Sequence, residues 1–259
     1  MQWDPAQYDH FADERTRPFL DLLARIPVQS PRRIVDLGCG TGAPAALMAR
    51  RWPSARIEGI DSSPAMIDRA QRLGTDRLTF HLGDVATWRP DGDVDVIISN
   101  ATLQWVPGHW ELLRRWAGAV PVGGCLAFAV PANFDAPSHV LMREMAESPR
   151  WRDRLAGVLR HHDSVRRAPD YGELLLDAGL DIDVWETTYL HRLSGADPVL
   201  DWVRGTGLRP VLERLAESDT DVAAAEFEQE YGAQLRAAYP SGPHGTLFPF
   251  RRIFAVGHR

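Results

Sequence analysis

Residues 35–42, Val35-Asp36-Leu37-Gly38-Cys39-Gly40-Thr41-Gly42, join a short apolar run to a helical pattern through three glycines. Glycine reaches φ > 0 freely and lets the backbone come close to a ligand. Gly38, Gly40 and Ala43 also fit the G-x-G-x-x-A form of a dinucleotide loop, which leaves a nicotinamide-dependent oxidoreductase open. Asp36 argues the other way, because a negative charge there would repel a pyrophosphate and would suit a cation. Asp61 stands 19 positions after Gly42, at the end of the second apolar run, where an acid can accept both hydroxyls of a ribose. Asp84 follows 23 positions later, at the end of the third run, where a nucleobase would lie. One strand-end aspartate is commonly only a helix cap. Three such signals at consecutive strand ends point to a cofactor that contains a nucleoside.

The elements that must position these residues are short apolar runs at 33–38, 56–61, 78–82, 94–99, 124–130 and 182–190. Helical patterns at 43–51, 64–73, 109–119 and 170–178 fall between most of them. Strands alternating with helices predict an α/β fold with a parallel sheet covered on both faces. In such sheets ligands bind beyond the carboxyl ends of the strands, so Asp61, Asp84 and Asn100 are expected to look at one site. Two stretches break the alternation and read as helical insertions that cap the strand ends. The expected organisation is a cofactor-binding core with an N-terminal lid at 1–133, a helical insertion at 134–168, a core helix and strand at 169–193, a second helical insertion at 194–249 and a final strand at 250–259.

Composition removes several classes of chemistry. All 29 basic residues are arginine. With no lysine there is no Schiff base and no Walker A loop. Two cysteines, Cys39 and Cys125, cannot build a disulfide scaffold or a four-thiolate zinc site. His161-His162 has no partner at metal-ligand spacing, and no metal is expected. A net charge of −6 argues against nucleic acid or an anionic membrane as partner. No apolar run approaches the roughly 18 residues of a membrane span, and the first residues do not read as a signal peptide, so a cytoplasmic protein is expected.

The strand-end motifs resemble those of the class I S-adenosylmethionine-dependent methyltransferases. Residues 35–42 match that family's first motif in full, Asp61 in Gly59-Ile60-Asp61-Ser62-Ser63 matches the second, and Asp84 the third. Residues 95–100 are similar to the fourth. The resemblance implies a Rossmann-like fold with a seven-stranded, mostly parallel sheet, helices on both faces and a last antiparallel strand at 252–258. It implies S-adenosylmethionine as cofactor and S-adenosylhomocysteine as product. The residues it points to are Tyr8, Arg15, Asp36, Gly38, Gly40, Asp61, Ser62, Met66, Asp84, Val85 and Asn100, with Tyr8 and Phe11 as a lid.

A closer similarity, to the trans-aconitate methyltransferases, runs through Trp3-Asp4-Pro5-Ala6-Gln7-Tyr8, residues 100–105, 139–144 and 202–210, and the closing 250–254. It implies transfer of a methyl group to one carboxylate of trans-aconitate, a small polycarboxylate. The chemistry agrees with that acceptor. A carboxylate is already ionised at pH 7 and needs no general base. It needs alignment with the methyl carbon, which can lower a barrier by up to roughly 7–11 kcal/mol, and exclusion of water. No catalytic acid or base is therefore expected; Trp105 and Asn100 are expected to position the reactants. Guanidinium forks suit the remaining carboxylates. The candidates are His139 and Arg143, which share a face at i and i+4 if their segment is helical, with Trp202, Thr206, Arg209 and Arg252. Each has a plainer reading: a solvated helix face, a surface arginine, a salt bridge, a packed aromatic. Another carboxylate acceptor, such as isopropylmalate, citrate or a carrier-bound ester, stays open, as does a binding module without turnover.

Overall fold

The computed structural model describes residues 12–159, 164–218 and 221–259. Seven strands form one sheet: β1 Arg33–Leu37, β2 Arg56–Asp61, β3 Leu78–Leu82, β4 Val96–Asn100, β5 Cys125–Pro131, β6 Asp181–Leu193 and β7 Thr246–His258. Their order is β3-β2-β1-β4-β5-β7-β6. Strands β1 to β5 pair in parallel, and β7 runs antiparallel to β5 from Cys125 opposite His258 to Pro131 opposite Arg252. The expected seven-stranded, mostly parallel sheet is what forms. The last strand starts at Thr246, several residues earlier than expected, because Phe248 and Phe250 alternate inward with exposed Leu247 and Pro249.

Parallel strands covered on both faces read as continuous apolar runs. Ile34, Val35 and Leu37 in β1 and Val96, Ile97 and Ile98 in β4 are all buried. Asp36 interrupts the first run, at 2% exposure. The buried hydroxyl of Ser99 in β4 donates to the Leu37 carbonyl at 2.8 Å and so satisfies itself at the end of β1. The crossovers are helical: α1 Ala12–Ala24 before β1, α2 Ala43–Arg51 between β1 and β2, α3 Pro64–Ala70 before β3, α4 His109–Ala119 between β4 and β5, and later α7 Ala168–Asp177 before β6. The strand order reverses between β1 and β4, which makes a crevice at their carboxyl ends.

The described residues fall into two compact units. The sheet unit runs through Pro131 and includes Val165–Thr187 and Arg252–Arg259. The helical unit is Ala132–Ser164 with Thr188–Arg251. It contains α5 Pro137–Glu147, α6 Arg152–Leu155, α8 Pro198–Arg204, α9 Arg209–Ser218 and α10 Asp221–Ala238. Its core is aromatic: Trp151 meets Phe227 edge-on at 5.3 Å, and Tyr231 is fully buried on the same helix as Phe227. Among the described residues no helix is long and apolar enough to cross a membrane, and no group of His, Cys, Asp or Glu is gathered to hold a metal. His161 and His162 lie outside the described residues.

One buried polar chain braces the sheet unit where α4 begins. The ring of His109 and the Tyr171 hydroxyl lie 3.0 Å apart, and the Arg166 amide donates to that hydroxyl at 3.2 Å. His109 also bonds the Val106 carbonyl. Burial lowers the pKa of His109 and pushes that of Tyr171 up to about 12, so a neutral ring accepts from a protonated phenol. Tyr171→Phe is expected to strand both partners. The loss should be about 1–3 kcal/mol, read as a lower urea midpoint with an unchanged m-value.

Candidate active site

The loop after β1 is shaped by the end of β4. Gly38 sits at φ +83, and its amide and that of Cys39 both donate to the Ile60 carbonyl, at 2.7 and 3.1 Å. A Cβ on Gly38 would lie 2.0 Å from Thr102 Oγ1, so only glycine lets the two loops meet. Gly40 differs: a Cβ there would meet nothing within 4 Å. It lines a cavity of about 320 Å³ at the crevice between β1 and β4.

The cavity wall comes from four strand ends. After β1 stand Gly38 and Gly40; at the end of β2, Asp61 and Ser62, with Met66 of α3; after β3, Asp84, Val85 and Ala86; after β4, Asn100 to Thr102 and Trp105 to Pro107. The carboxylate of Asp61 accepts from the Gly40 amide on Oδ2 and from the Ser63 amide on Oδ1, both at 2.9 Å. Burial raises its pKa, and these backbone donors offset part of the rise. Asp84 is exposed, and its Oδ1 accepts the Ala86 amide at 2.8 Å, a local turn that steadies the carboxylate at the rim. Met66 is 3% exposed, which makes it both core and cavity wall.

At β4 the backbone itself is bent to the purpose. Ala101 has φ +55, the one non-glycine residue with positive φ among the described residues. A side chain in that region costs roughly 1–2 kcal/mol. The cost is met by two hydrogen bonds: the Ala101 amide donates to the Ala129 carbonyl at 2.8 Å, and the Gln104 side chain donates to the Ala101 carbonyl at 2.6 Å. The turn leaves Asn100 Oδ1 buried with no hydrogen-bond partner among the described residues. Ala101, Thr102, Val106 and Pro107 also line the wall, and none carries a charge or a motif glycine that would mark it in the sequence. Gln104 is their support.

Asp36 does not line the cavity. It is buried behind the glycine loop, and its Oδ2 has no hydrogen-bond partner among the described residues. Burial pushes its pKa up to about 7, and the neighbouring charge of Asp61 adds to the shift.

The helical unit holds most of the remaining candidates. His139 and Arg143 lie one turn apart on α5, both half-buried. The His139 ring meets Phe134 at 5.6 Å, its Nδ1 is 3.3 Å from Ser138 Oγ, and its Nε2 would stand 3.6 Å from a Cβ on Gly207. The turn that carries Thr206, Gly207 and Arg209 therefore faces His139. Arg143 makes no hydrogen bond or ion pair with a described residue. Arg209 pairs with Glu213 at 2.9 Å, and the Thr206 hydroxyl bonds back to the Trp202 and Val203 carbonyls. Trp202 is 2% exposed, packed against His191 at 4.7 Å and against Phe248 and Phe250, so it shapes this unit from within. Arg252, in the sheet unit, is buried on β7 opposite Pro131. Tyr8 and Phe11 lie outside the described residues; Arg15 falls in α1, with its side chain outside them too.

Residues 8–184 match a family model described as a methyltransferase domain. A geranyl diphosphate C-methyltransferase of Streptomyces coelicolor, solved with S-adenosylhomocysteine, shares the fold at a TM-score of 0.52 and 17% identity, over 94% of this chain and 79% of that one. The trans-aconitate 2-methyltransferase of Streptomyces avermitilis is 54% identical over 99% of this chain and 97% of its own length. That of Streptomyces coelicolor is 57% identical over 99% of this chain and 86% of its own. The chain belongs to the trans-aconitate 2-methyltransferase family.

In this member of the trans-aconitate 2-methyltransferase family, the acid buried behind the glycine loop ties stability to pH. Asp36 has a folded pKa of about 7 against roughly 3.9 unfolded. The folded state binds the extra proton between those values, so Asp36 contributes stability below the lower one and loses it as pH rises through about 7. Asp36→Asn is expected to gain on the wild type between about pH 5 and pH 8, measured by urea unfolding at each pH. Gly38→Ala should cost about 3 kcal/mol from overlap plus backbone strain, and Gly40→Ala only the strain, about 1 kcal/mol. Thermal melts of the two variants compare them directly.

Proposed function

We propose that the protein transfers the methyl group of S-adenosylmethionine to one carboxylate of trans-aconitate, giving the monomethyl ester and S-adenosylhomocysteine. The observation that carries this reading is the cavity at the β1/β4 crevice. Its glycine backbone, one steadied strand-end acid and one open rim acid suit a nucleoside whose tail must come close to the chain. Asp61 would take the ribose hydroxyls and Asp84 the edge of the base, with Met66, Val85 and Ser62 around them. Gly38 and Gly40 would border the amino-acid tail, and the unpaired Asn100 oxygen offers an acceptor for its donors. Asp36 would act from behind the loop as a charge that favours a cation. Tyr8 and Arg15 complete the proposed set. When bound, S-adenosylmethionine supplies an electrophilic methyl carbon on a positively charged sulfur.

The protein's own task is then binding and alignment. The acceptor carboxylate arrives ionised and gives up no proton, so no side chain has to serve as base. His139, Arg143, Thr206, Arg209 and Arg252 are proposed to bind the carboxylates, with Trp202 fixing the walls behind them. Arg209 is already paired with Glu213, so a tricarboxylate would share that guanidinium rather than find it bare. Trp105, half-buried in the cavity wall, would exclude water from the reacting centre.

Purified protein with S-adenosylmethionine should form a monomethyl ester from trans-aconitate much faster than from cis-aconitate or citrate, followed by mass spectrometry. Arg143→Ala should raise the KM for trans-aconitate by about 10–100-fold, the worth of a charged hydrogen bond, while S-adenosylhomocysteine binds as before. Tight S-adenosylhomocysteine binding with no ester from any acid would move the search to another acceptor.

A further inference from the structure

Two tyrosines of the helical unit end on a single residue. Tyr231 is fully buried on α10, and its hydroxyl donates to the Ser138 carbonyl at 2.5 Å. Tyr239, 8% exposed just past the end of α10, accepts the Ser138 amide on its hydroxyl at 3.1 Å. The third polar atom of Ser138, Oγ, is 3.3 Å from His139 Nδ1. Ser138 itself has no exposed surface. Every polar atom of this residue is thus held, two of them by phenols from about 93 and 101 positions away in sequence.

The first turn of α5 shows which of these bonds the helix requires. Pro137 has no amide hydrogen. The His139 and Val140 amides both donate to the Ala136 carbonyl, at 2.9 and 3.0 Å. The Ser138 amide has no such local acceptor, so Tyr239 satisfies a donor that would otherwise be buried and orphaned. The Tyr231 bond is different in kind. A carbonyl in the first turn of a helix already accepts from the amide four residues on, so the phenol is an addition to the helix's own pairing. Phenylalanine would fill the same space and bring no hydroxyl to desolvate.

We propose that Tyr231 and Tyr239 are positioning residues for the acceptor: through Ser138 they fix the start of α5, and with it the His139 ring and the neighbouring Arg143. The inference rests on the reading that His139 and Arg143 bind the acceptor's carboxylates. A free helix start would let both side chains drift, and a loosely held fork loses the orientation on which carboxylate recognition depends. Phe134 and the Gly207 turn bound the same ring, so a small shift of Ser138 cannot be absorbed by the ring alone.

The test compares Tyr231→Phe, Tyr239→Phe and Ser138→Ala with His139→Ala and Arg143→Ala in the full chain. For each, the KM for trans-aconitate, kcat and S-adenosylhomocysteine affinity are measured. Ser138→Ala removes only the hydroxyl beside His139 and keeps the backbone amide and carbonyl that the phenols hold. Tyr231→Phe orphans no backbone donor and guards against a Tyr239 variant that fails to fold. The expected result is a KM for trans-aconitate raised about tenfold in Tyr231→Phe and Tyr239→Phe, with kcat and cofactor affinity within about twofold, and a smaller change in Ser138→Ala, which keeps both phenol bonds. A merely structural role would lower the active fraction and leave that KM where it was. The inference is overturned if His139→Ala and Arg143→Ala raise the KM and the tyrosine variants do not. If His139→Ala and Arg143→Ala leave the KM unchanged, the reading beneath it falls, and the inference with it.

Discussion

The close approach of the Gly38 loop to Thr102 is the constraint on which the site depends. Two strands that run side by side in the sheet send their chains in opposite directions at β1 and β4, and the gap between those chains is the cavity. The gap keeps its shape only if the loops touch at its base. They touch where a single methyl group would overlap Thr102 by more than an ångström, so the contact fixes glycine at 38. The amides of residues 38 and 39 then turn onto the Ile60 carbonyl, and the amide of Gly40 onto Asp61. One steric requirement thereby orients β1, β2 and β4 toward a common point.

Electrostatics follow from that geometry. Asp61 is steadied by backbone donors from the loop it faces, so its charge is tolerated beside the cavity. Asp36 has no comparable support on Oδ2 and is held above its ordinary range by burial. Two acids in the same small region would be a liability in a site for phosphates. They become an advantage when the bound group carries positive charge, because the ligand then supplies the counter-charge that the protein has left out. This physical asymmetry separates the present site from a dinucleotide site with a similar glycine pattern.

The parts of this arrangement that could be read in the sequence are those with a local signature. Glycines at a strand end, acids at fixed distances after them and apolar runs of strand length are all short-range signals, and the sheet, Gly38, Gly40, Asp61 and Asp84 follow from them. Ala101 is not legible, because alanine gives no hint that its backbone will take φ +55; the cause is the Gln104 side chain and the pairing to Ala129. Neither is the early start of β7, where Pro249 interrupts an alternation that Phe248 and Phe250 otherwise declare. Trp202 illustrates a third case. The family resemblance makes it an acceptor-site candidate, and its surroundings are the aromatic interior of the helical unit. The Ser138 contacts depend on pairings across some hundred residues, which no local pattern encodes.

The two halves of the chemistry are also built from different materials. The cavity is mostly backbone: glycine turns, amides aimed at carboxylates, one strained alanine. Such features change little when side chains vary, so the same cavity can serve many acceptors. The acceptor candidates are side chains on helices of the other unit, chiefly arginines and a histidine whose usefulness depends on orientation. Orientation on a helix surface is cheap to alter, and it must be set by something more rigid than the helix itself. In the proposed reading, buried phenols bonded to backbone provide that rigidity without adding charge, which would compete with the guanidinium groups for the substrate. A chain with no lysine has arginine for its permanent side-chain positive charges, and arginine discriminates by the angle of its fork. If these arginines bind the acceptor as proposed, selectivity for one carboxylate geometry over another is a property of what holds the arginine as much as of the arginine.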